Sequence, residues 1–202
     1  MLPLSESEQI SFDVMKRNLI VQPVEAHRLD QAKGVIIVPC GDGDQFPDIY
    51  KHHSTVVMQS EHPRTHTLAL NGGALLLPKT SPLNHGLRED LVLIYHIERA
   101  RMLKGIDTVA LYAHWPCGVA CDAEMNFFSA LQLLVQAKER LKSELRIMGE
   151  REEMRVAKVA CYMHLASPEG KRRTYFISAR RWKECSEANL QFRPSAPPLA
   201  AQ

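Results

Sequence analysis

Two short apolar runs, each followed by residues that can bind a metal ion, limit the folds open to this chain more than any other pattern in the sequence. One run, residues 35–39, leads to Cys40, and the other, residues 108–112, leads to His114 and Cys117. Apolar runs of this length are typical of strands that are buried on both faces of a parallel sheet. The sequence therefore predicts an α/β fold with a central, mostly parallel sheet flanked by helices.

Cys40, His114 and Cys117 form a candidate metal site. The carboxyl ends of neighbouring parallel strands meet at one edge of the sheet, which is where open α/β sheets place their sites. His114 and Cys117 lie three positions apart in a predicted turn that contains Pro116 and Gly118. Two ligands do not hold zinc in a closed site, so a third is needed, and Cys40 is the best candidate. Two thiolates and one imidazole match the ligands that zinc prefers, and we expect about one Zn²⁺ per chain.

Composition and charge narrow the function classes. The 202 residues are 45% hydrophobic and 24% charged, which predicts one domain over residues 1–193 with a sizeable core. Residues 1–33 are expected to form a helical arm, and residues 194–202 a disordered tail. A net charge of +2 favours neither a nucleic acid nor a membrane surface as partner. No signal-peptide pattern is seen, and no apolar run approaches the roughly 20 residues of a membrane span. Five cysteines without dense spacing favour a reducing, cytoplasmic setting.

Capping residues and helical spacing predict three helices. Ser5 and Glu8 have the spacing of a capping box before a short amphipathic helix that includes Ile10 and needs another surface to pack on. Two longer helices are predicted over residues 87–104 and 123–145.

Strand patterns are found in four further places. They cover residues 54–58, 65–70, 156–163 and 174–178, the last two as a hairpin. Between the second and third of these strands, residues 71–73 (Asn-Gly-Gly) predict a turn whose backbone can run close to the metal site.

Four histidines lie in the part of the sequence that is hardest to interpret. They could form a second metal site or shuttle protons, but their spacing matches no trusted ligand pattern, so exposed loop histidines are favoured. The four are His52, His53, His62 and His66.

The order of three motifs resembles that of the β-class carbonic anhydrases. Residues 40–42 (Cys-Gly-Asp) are similar to the start of the family's Cys-x-Asp-x-Arg motif, and residues 114–118 to its Gly-His-x-x-Cys-Gly motif. Between them, residues 70–74 look like the family's Arg-Asn-Ala-Gly-Asn loop. The resemblance extends from about residue 34 to residue 178, which is most of the chain.

This resemblance implies a zinc lyase of the carbonate dehydratase class. Zinc held by Cys40, His114 and Cys117 would deliver hydroxide to CO₂ or a related small electrophile. The family pattern assigns Cys117, rather than Cys121, as the ligand, and packing is expected for Cys121. The family also implies a homodimer or larger homo-oligomer, in which N-terminal helices reach over a partner subunit.

The chain departs from the family at Asp44, which stands in the position of the motif's Arg. In the family that Arg pairs with the motif's Asp and keeps it off the metal, so that water can bind. An ionised Asp44 instead repels Asp42, and we expect Asp42 to bind zinc as a fourth ligand and CO₂ hydration to be weak or absent. Asp42 and Asp44 are thus the residues expected to control catalysis, unless an Arg or Lys from another segment compensates.

Three hypotheses follow from the sequence. The chain is a divergent zinc enzyme, a non-catalytic binding or assembly module stabilised by zinc, or a plain α/β domain whose Cys and His residues are structural. Zinc content separates the third hypothesis from the others, and a CO₂ hydration assay separates the first two.

Overall fold

A computed structural model describes residues 4–24, 34–57, 64–152, 157–166 and 172–188 of the chain. In these residues, helices flank a single six-stranded sheet.

The bounds of the elements are as follows. The strands are β1 (Val21–Pro23), β2 (Val35–Val38), β3 (Thr65–Thr67), β4 (Thr108–Trp115), β5 (Lys158–Ala166) and β6 (Arg172–Ile177). The α-helices are α1 (Glu6–Arg17), α2 (Phe46–His52), α3 (Glu89–Lys104), α4 (Gly118–Asp122), α5 (Phe127–Glu152) and α6 (Ala179–Glu187). A π-helical turn (His53–Val57) follows α2, and a 3₁₀ helix (Gly73–Leu76) follows β3.

The strand order is β1-β6-β5-β4-β2-β3. The four strands β3, β2, β4 and β5 are parallel, and β6 and then β1 pair antiparallel at one edge. The predicted α/β fold with a mostly parallel sheet is confirmed. The neighbouring position of β2 and β4, with Val38 opposite Leu111, is the arrangement that brings the two candidate ligand segments to one edge.

The two faces of the sheet are covered differently. One face packs against α3 and α5 in the larger hydrophobic core. The other carries a smaller core in which the rings of Tyr112 and Tyr162 stack with centroids 4.9 Å apart, and Ile49 of α2 packs there. All eight residues of β4 are buried, because this strand lies inside the sheet with a packed layer on each side.

Helix α1 has the predicted capping box, formed by Ser5 and Glu8. The Glu8 carboxylate also accepts a hydrogen bond from the backbone N–H of Phe127, 3.2 Å away. Phe12 is buried edge-on against Phe127, with ring centroids 6.1 Å apart. The chain's own core therefore supplies a packing surface for one side of α1, while Ile10 on another side remains 51% exposed.

The strand predicted over residues 54–58 is wrong for the residues that the structure describes. Residues 54–57 continue the helical path of α2 as a π-helical turn, and residue 58 lies outside the described residues. The hydroxyls of Ser54 and Thr55 both donate to the Lys51 carbonyl. These local hydrogen bonds within the turn outweigh the β propensity of a Thr-Val-Val sequence.

Two other boundaries differ from the predicted ones. Strand β4 runs three residues further than predicted, so His114 lies in a strand and not in a turn, because residues 113–115 pair with residues 163–165 of β5. The long helix α5 begins at Phe127 and not at residue 123, since residues 118–122 form the separate helix α4.

Two residues differ from expectation in burial. Arg101 of α3 is only 1% exposed, although arginine side chains are seldom fully buried. Its guanidinium lies 3.9 Å from the Asp107 carboxylate, and burial lowers its pKa. Cys121, for which packing was expected, is exposed, whereas Cys161 and Cys185 are buried. Cys121 lies in the short α4, directly after the buried Ala120, where the helix turns its next position towards solvent. In the described part of the chain, no helix is both long and apolar enough to cross a membrane.

Candidate metal centre

The three predicted ligands lie together at the carboxyl edge of the sheet. Cys40 follows β2, His114 is the second-last residue of β4, and Cys117 precedes α4. Their ligand atoms all lie within 4.8 Å of one another, and all three residues are buried. Cys40 and His114 are 74 positions apart in the sequence, and the chain between them folds so that the ends of two adjacent parallel strands meet.

The loop over residues 71–73 holds the Cys40 sulfur. Cys40 forms a parallel bridge with Leu70, and the backbone N–H of Gly72 donates to Cys40 Sγ at 3.2 Å. A Cβ atom at Gly73, where φ is +51°, would lie 2.5 Å from the backbone nitrogen of Cys40. The predicted close approach of this turn is confirmed, and only glycine fits at position 73.

The orientation of His114 leaves one ring nitrogen directed at the cluster. Its Nδ1 lies 2.9 Å from the Pro116 carbonyl, which can only accept, so Nδ1 carries the proton. Its Nε2 is buried and has no hydrogen-bond partner among the described residues. A buried ring nitrogen with a free lone pair is costly, and a metal ion would satisfy it.

The two sulfur atoms affect each other's protonation. A hydrogen bond from the neighbouring Cys117 thiol, together with the Gly72 N–H, lowers the pKa of Cys40 well below its usual value. Donation to Cys40, together with burial, raises the pKa of Cys117 above its usual value. The backbone N–H groups of Ala120 and Val119, at the N-terminus of α4, act to lower the pKa of Cys117, but burial and Cys40 outweigh them.

This donor set fits zinc. Ligand atoms about 2.0–2.3 Å from a tetrahedral ion lie roughly 3.4–3.8 Å from each other, so donor atoms that all lie within 4.8 Å of one another are close enough to share one ion. Zinc binds thiolates, and binding would release the proton that the Cys117 thiol carries.

Asp42 lies beside this cluster. Its Oδ2 is 3.7 Å from His114 Nε2, and its side chain is 24% exposed. Its Oδ1 accepts a 2.9 Å hydrogen bond from the backbone N–H of Asp44. The structure thus brings Asp42 to the predicted ligands, while Asp44 holds Asp42 through its backbone and keeps its own side chain exposed.

A cation from another segment reaches the same loop. Nη1 of Arg172, at the start of β6, donates to the Asp44 carbonyl at 2.8 Å and also pairs with the Asp48 carboxylate. The contact of Arg172 with position 44 spans 128 residues, and no local pattern indicates it.

Two buried histidines adjoin the site. His164 of β5 lies opposite His114 in the strand register, and its Nδ1 is 2.7 Å from Thr174 Oγ1. His53 Nδ1 is 2.8 Å from the Tyr112 hydroxyl. Burial lowers the pKa of His164 to about 4 and that of His53 to about 3, so both are neutral at pH 7.

The expectation of exposed loop histidines is therefore wrong for His53, which the smaller core encloses. His52 and His66 are half-buried, and His62 lies outside the described residues. His164 was not predicted to lie at the site. In the sequence it is a single histidine within an apolar strand pattern, and only the pairing of β5 with β4 places it opposite His114.

The fold of this chain is similar to that of several solved structures, although its sequence is not similar to theirs. No family model matches this chain, and no curated protein matches it. A mutant of the β-carbonic anhydrase CafD of Aspergillus fumigatus is 11% identical, covers 78% of this chain and 99% of its own, and has a TM-score of 0.46.

Two other solved structures are similar at the same level. The β-carbonic anhydrase CafA of Aspergillus fumigatus is 16% identical over 79% of this chain and 82% of its own, with a TM-score of 0.41. A tetrameric β-carbonic anhydrase of Sordaria macrospora is 12% identical over 72% and 81%, with a TM-score of 0.37. Because these TM-scores are below 0.5, the function of this chain is inferred from its sequence motifs and from the geometry of the site.

Proposed function

We propose that this chain is a zinc protein similar to the β-carbonic anhydrases, which binds zinc through Cys40, His114 and Cys117 and hydrates CO₂ or a related small electrophile only weakly, because Asp42 competes with water for the metal. One observation carries the proposal. Three buried donor atoms of the types that zinc prefers lie within 4.8 Å of one another, on segments that follow the order of the family's motifs. A reducing, cytoplasmic setting is part of the proposal, since both cysteines must stay reduced to act as ligands.

The residues of the site have separate roles in this proposal. Cys40, Cys117 and His114 Nε2 would hold the ion, which supplies a Lewis acid that activates water at neutral pH. The Pro116 carbonyl fixes the His114 tautomer. Asp42, whose Oδ2 is 3.7 Å from His114 Nε2, would control whether a water can enter.

The same position of Asp42 favours a second candidate function. A carboxylate this close to a ligand atom can itself become the fourth ligand, and a zinc ion with four protein ligands is typical of structural sites. In that case the chain is a non-catalytic binding or assembly module stabilised by zinc.

Zinc content tests the site. Purified protein should contain about one zinc per chain by mass spectrometry of the metal, and Cys117→Ala or His114→Ala should lose it and melt at a lower temperature. Cys121→Ser is the matched control, because Cys121 is an exposed thiol four residues from Cys117 and outside the cluster. Full zinc retention in both ligand variants would contradict the assignment.

Stopped-flow CO₂ hydration separates the two candidate functions. Zinc-loaded protein that accelerates hydration, with the acceleration lost in His114→Ala and kept in Cys121→Ser, supports an enzyme. Zinc-loaded protein without acceleration supports the structural module.

A further inference from the structure

A cleft near the metal site is lined by several positively charged side chains. It has a volume of about 430 Å³, and its walls include Lys16, Arg172, Arg173 and the half-buried His52. No carboxylate lines it among the residues that the structure describes. The hydration of CO₂, an uncharged molecule, does not require such a cleft.

Two of the cations are held in place by their own contacts. Arg172 is anchored through Nη1 to the Asp44 carbonyl and the Asp48 carboxylate. The ammonium of Lys16 lies 5.6 Å from the centroid of the Phe12 ring. Asp48 offsets one positive charge from outside the cleft, so the walls keep a net positive charge even with His52 neutral. Cations that are already positioned lose little entropy when an anion binds.

The remaining wall of the cleft is less polar. Val21 and Pro23 of β1 line it together with Tyr175 and Thr174 of β6. An apolar wall with an aromatic ring beside a cationic one suits a ligand that has both an anionic group and a small hydrophobic body. The volume lies within the range of about 300–1,000 Å³ found for small-molecule sites.

The floor of the cleft is connected to the metal site through the sheet. Thr174 accepts or donates a hydrogen bond with His164, and His164 lies opposite His114 on the next strand. Thr174 and His114 are therefore two strands apart, roughly 10 Å at the usual strand spacing. A ligand in the cleft would be a neighbour of the metal centre without touching it.

We propose that this cleft binds a small organic phosphate, with the phosphate group at Arg173 and Lys16 and the organic part against Tyr175, Val21 and Pro23, which lie on the same face of the sheet as Arg173. A guanidinium group binds phosphate oxygens through paired, charge-assisted hydrogen bonds, and the lysine adds a second positive charge. The proposal concerns residues outside the metal cluster and does not require the metal site to be catalytic.

Calorimetric titration of the full-length protein with phenyl phosphate tests the proposal. At constant ionic strength we expect one saturable site, and weaker binding of inorganic phosphate because it lacks the part that contacts Tyr175. Arg173→Gln and Lys16→Gln should each weaken binding by about tenfold or more, as expected for losing a charged hydrogen-bond partner. Both side chains are exposed, and an unchanged melting temperature would show that the variants fold.

Arg180→Gln is the matched control, because Arg180 is an exposed arginine on α6 that pairs with Glu184 outside the cleft. It should leave the affinity within about twofold of wild type. Absence of saturable binding to the wild type at about 1 mM phenyl phosphate would overturn the proposal. Equal affinity in wild type, Arg173→Gln and Lys16→Gln would also overturn it, since the anion would then be bound elsewhere, such as on the metal.

Discussion

Asp42 can either bind a metal ion or be held away from it. One carboxylate oxygen is 3.7 Å from His114 Nε2, and the other is fixed by the Asp44 N–H. Two unit charges about 4 Å apart interact by roughly 4 kcal/mol at an effective dielectric of 20, and less when exposed to water. The sign of the charge at position 44 therefore affects whether the Asp42 carboxylate binds the metal ion. A negative charge at position 44 repels Asp42 and favours its binding to the metal ion.

The first prediction is that Asp44→Arg raises CO₂ hydration by zinc-loaded protein. A guanidinium at position 44 can pair with Asp42 and draw it from the metal, and a hydrogen bond to a charged group is worth about 1.5–3 kcal/mol. We expect an increase in kcat/KM of about tenfold, since 1.4 kcal/mol corresponds to tenfold in rate. The gain in CO₂ hydration should be limited, because Leu70 occupies the position at which the family's loop has a second Arg.

Asp44→Asn is the control for this prediction. It keeps the backbone N–H that holds Asp42 and removes only the negative charge, so its gain should be smaller. Wild-type protein that already hydrates CO₂ rapidly near neutral pH, with no gain in Asp44→Arg, would contradict the prediction. Arg172 would then be the first residue to substitute, because its guanidinium already contacts the Asp44 carbonyl.

The second prediction concerns His53 and acid stability. Its pKa is lowered by burial and by nearby His52 to about 3, whereas an unfolded histidine titrates near 6.5. The unfolded state thus binds the extra proton first, and stability is complete above about pH 6.5 and falls as the pH drops towards 3. From about pH 7.5 to pH 5.5 this linkage costs about 1.4 kcal/mol.

Urea unfolding at the two pH values measures this cost. Wild type should lose about 1.4 kcal/mol more free energy of unfolding than His53→Gln, whose amide can still hydrogen-bond the Tyr112 hydroxyl. Substitution of the exposed His85 by Gln should leave the loss as in wild type. Equal losses in wild type and His53→Gln would show that burial does not keep His53 neutral.

The ligand residues could be predicted from the sequence, and their neighbours could not. Cys40, His114 and Cys117 come shortly after two apolar runs that predict buried strands. Because neighbouring parallel strands end at the same edge of a sheet, the sequence also predicts that these residues lie close together. His164 and Arg172 reach the site through the register of β5 and β6, which is fixed by pairing across the sheet. A single sequence contains no local signal for that register.

Elements buried on both faces were the most predictable. Strands β2 and β4 are buried along their whole length, and the run that predicts each of them is mainly apolar, because a helical layer or core covers each face. The end of α3 at Gly105, where φ is +62°, was also predicted, since glycine commonly ends helices in this conformation. The segment 53–57 was not predictable, because its β-branched residues favour a strand while its side-chain hydrogen bonds to Lys51 favour a helical turn.

The third prediction concerns the turn that crosses the end of β2. Gly73→Ala should destabilise the protein by about 2–4 kcal/mol, because the residue would be strained at positive φ and its Cβ would clash with the backbone. That Cβ would lie 2.5 Å from the backbone nitrogen of Cys40. The displaced turn should also pull the Gly72 N–H from the Cys40 sulfur and weaken zinc retention against a chelator.

Gly86→Ala is the matched control for the turn. Gly86 also has a positive φ of +85°, but an added Cβ would meet nothing within 4 Å. It should cost only about 1–2 kcal/mol and leave zinc retention unchanged. If both variants lose stability and zinc to the same degree, the close approach of Gly73 to Cys40 is not what supports the site.

The distribution of exposed apolar side chains favours self-association. Helix α3 buries one side against the sheet and α5, yet five of its large apolar side chains are exposed. They are Leu91, Val92, Tyr95, Met102 and Leu103. Helix α1 adds the exposed Ile10. Several large apolar side chains exposed on one helix commonly mark an interface, which agrees with the homodimer or larger assembly expected from the sequence.

The fourth prediction is that the full-length chain sediments as a dimer or larger assembly at micromolar concentration, with the exposed side of α3 in the interface between copies. Tyr95→Glu should shift the protein towards monomer, because it places an unpaired charge in a surface that association removes from water. Ile147→Glu is the control, since Ile147 is an exposed isoleucine on α5, and Ile10→Glu tests whether α1 takes part. A wild-type protein that is strictly monomeric would contradict the prediction. A dimer that Tyr95→Glu leaves intact but Ile10→Glu disrupts would place the interface on α1, where the resemblance to the β-carbonic anhydrases first indicated it.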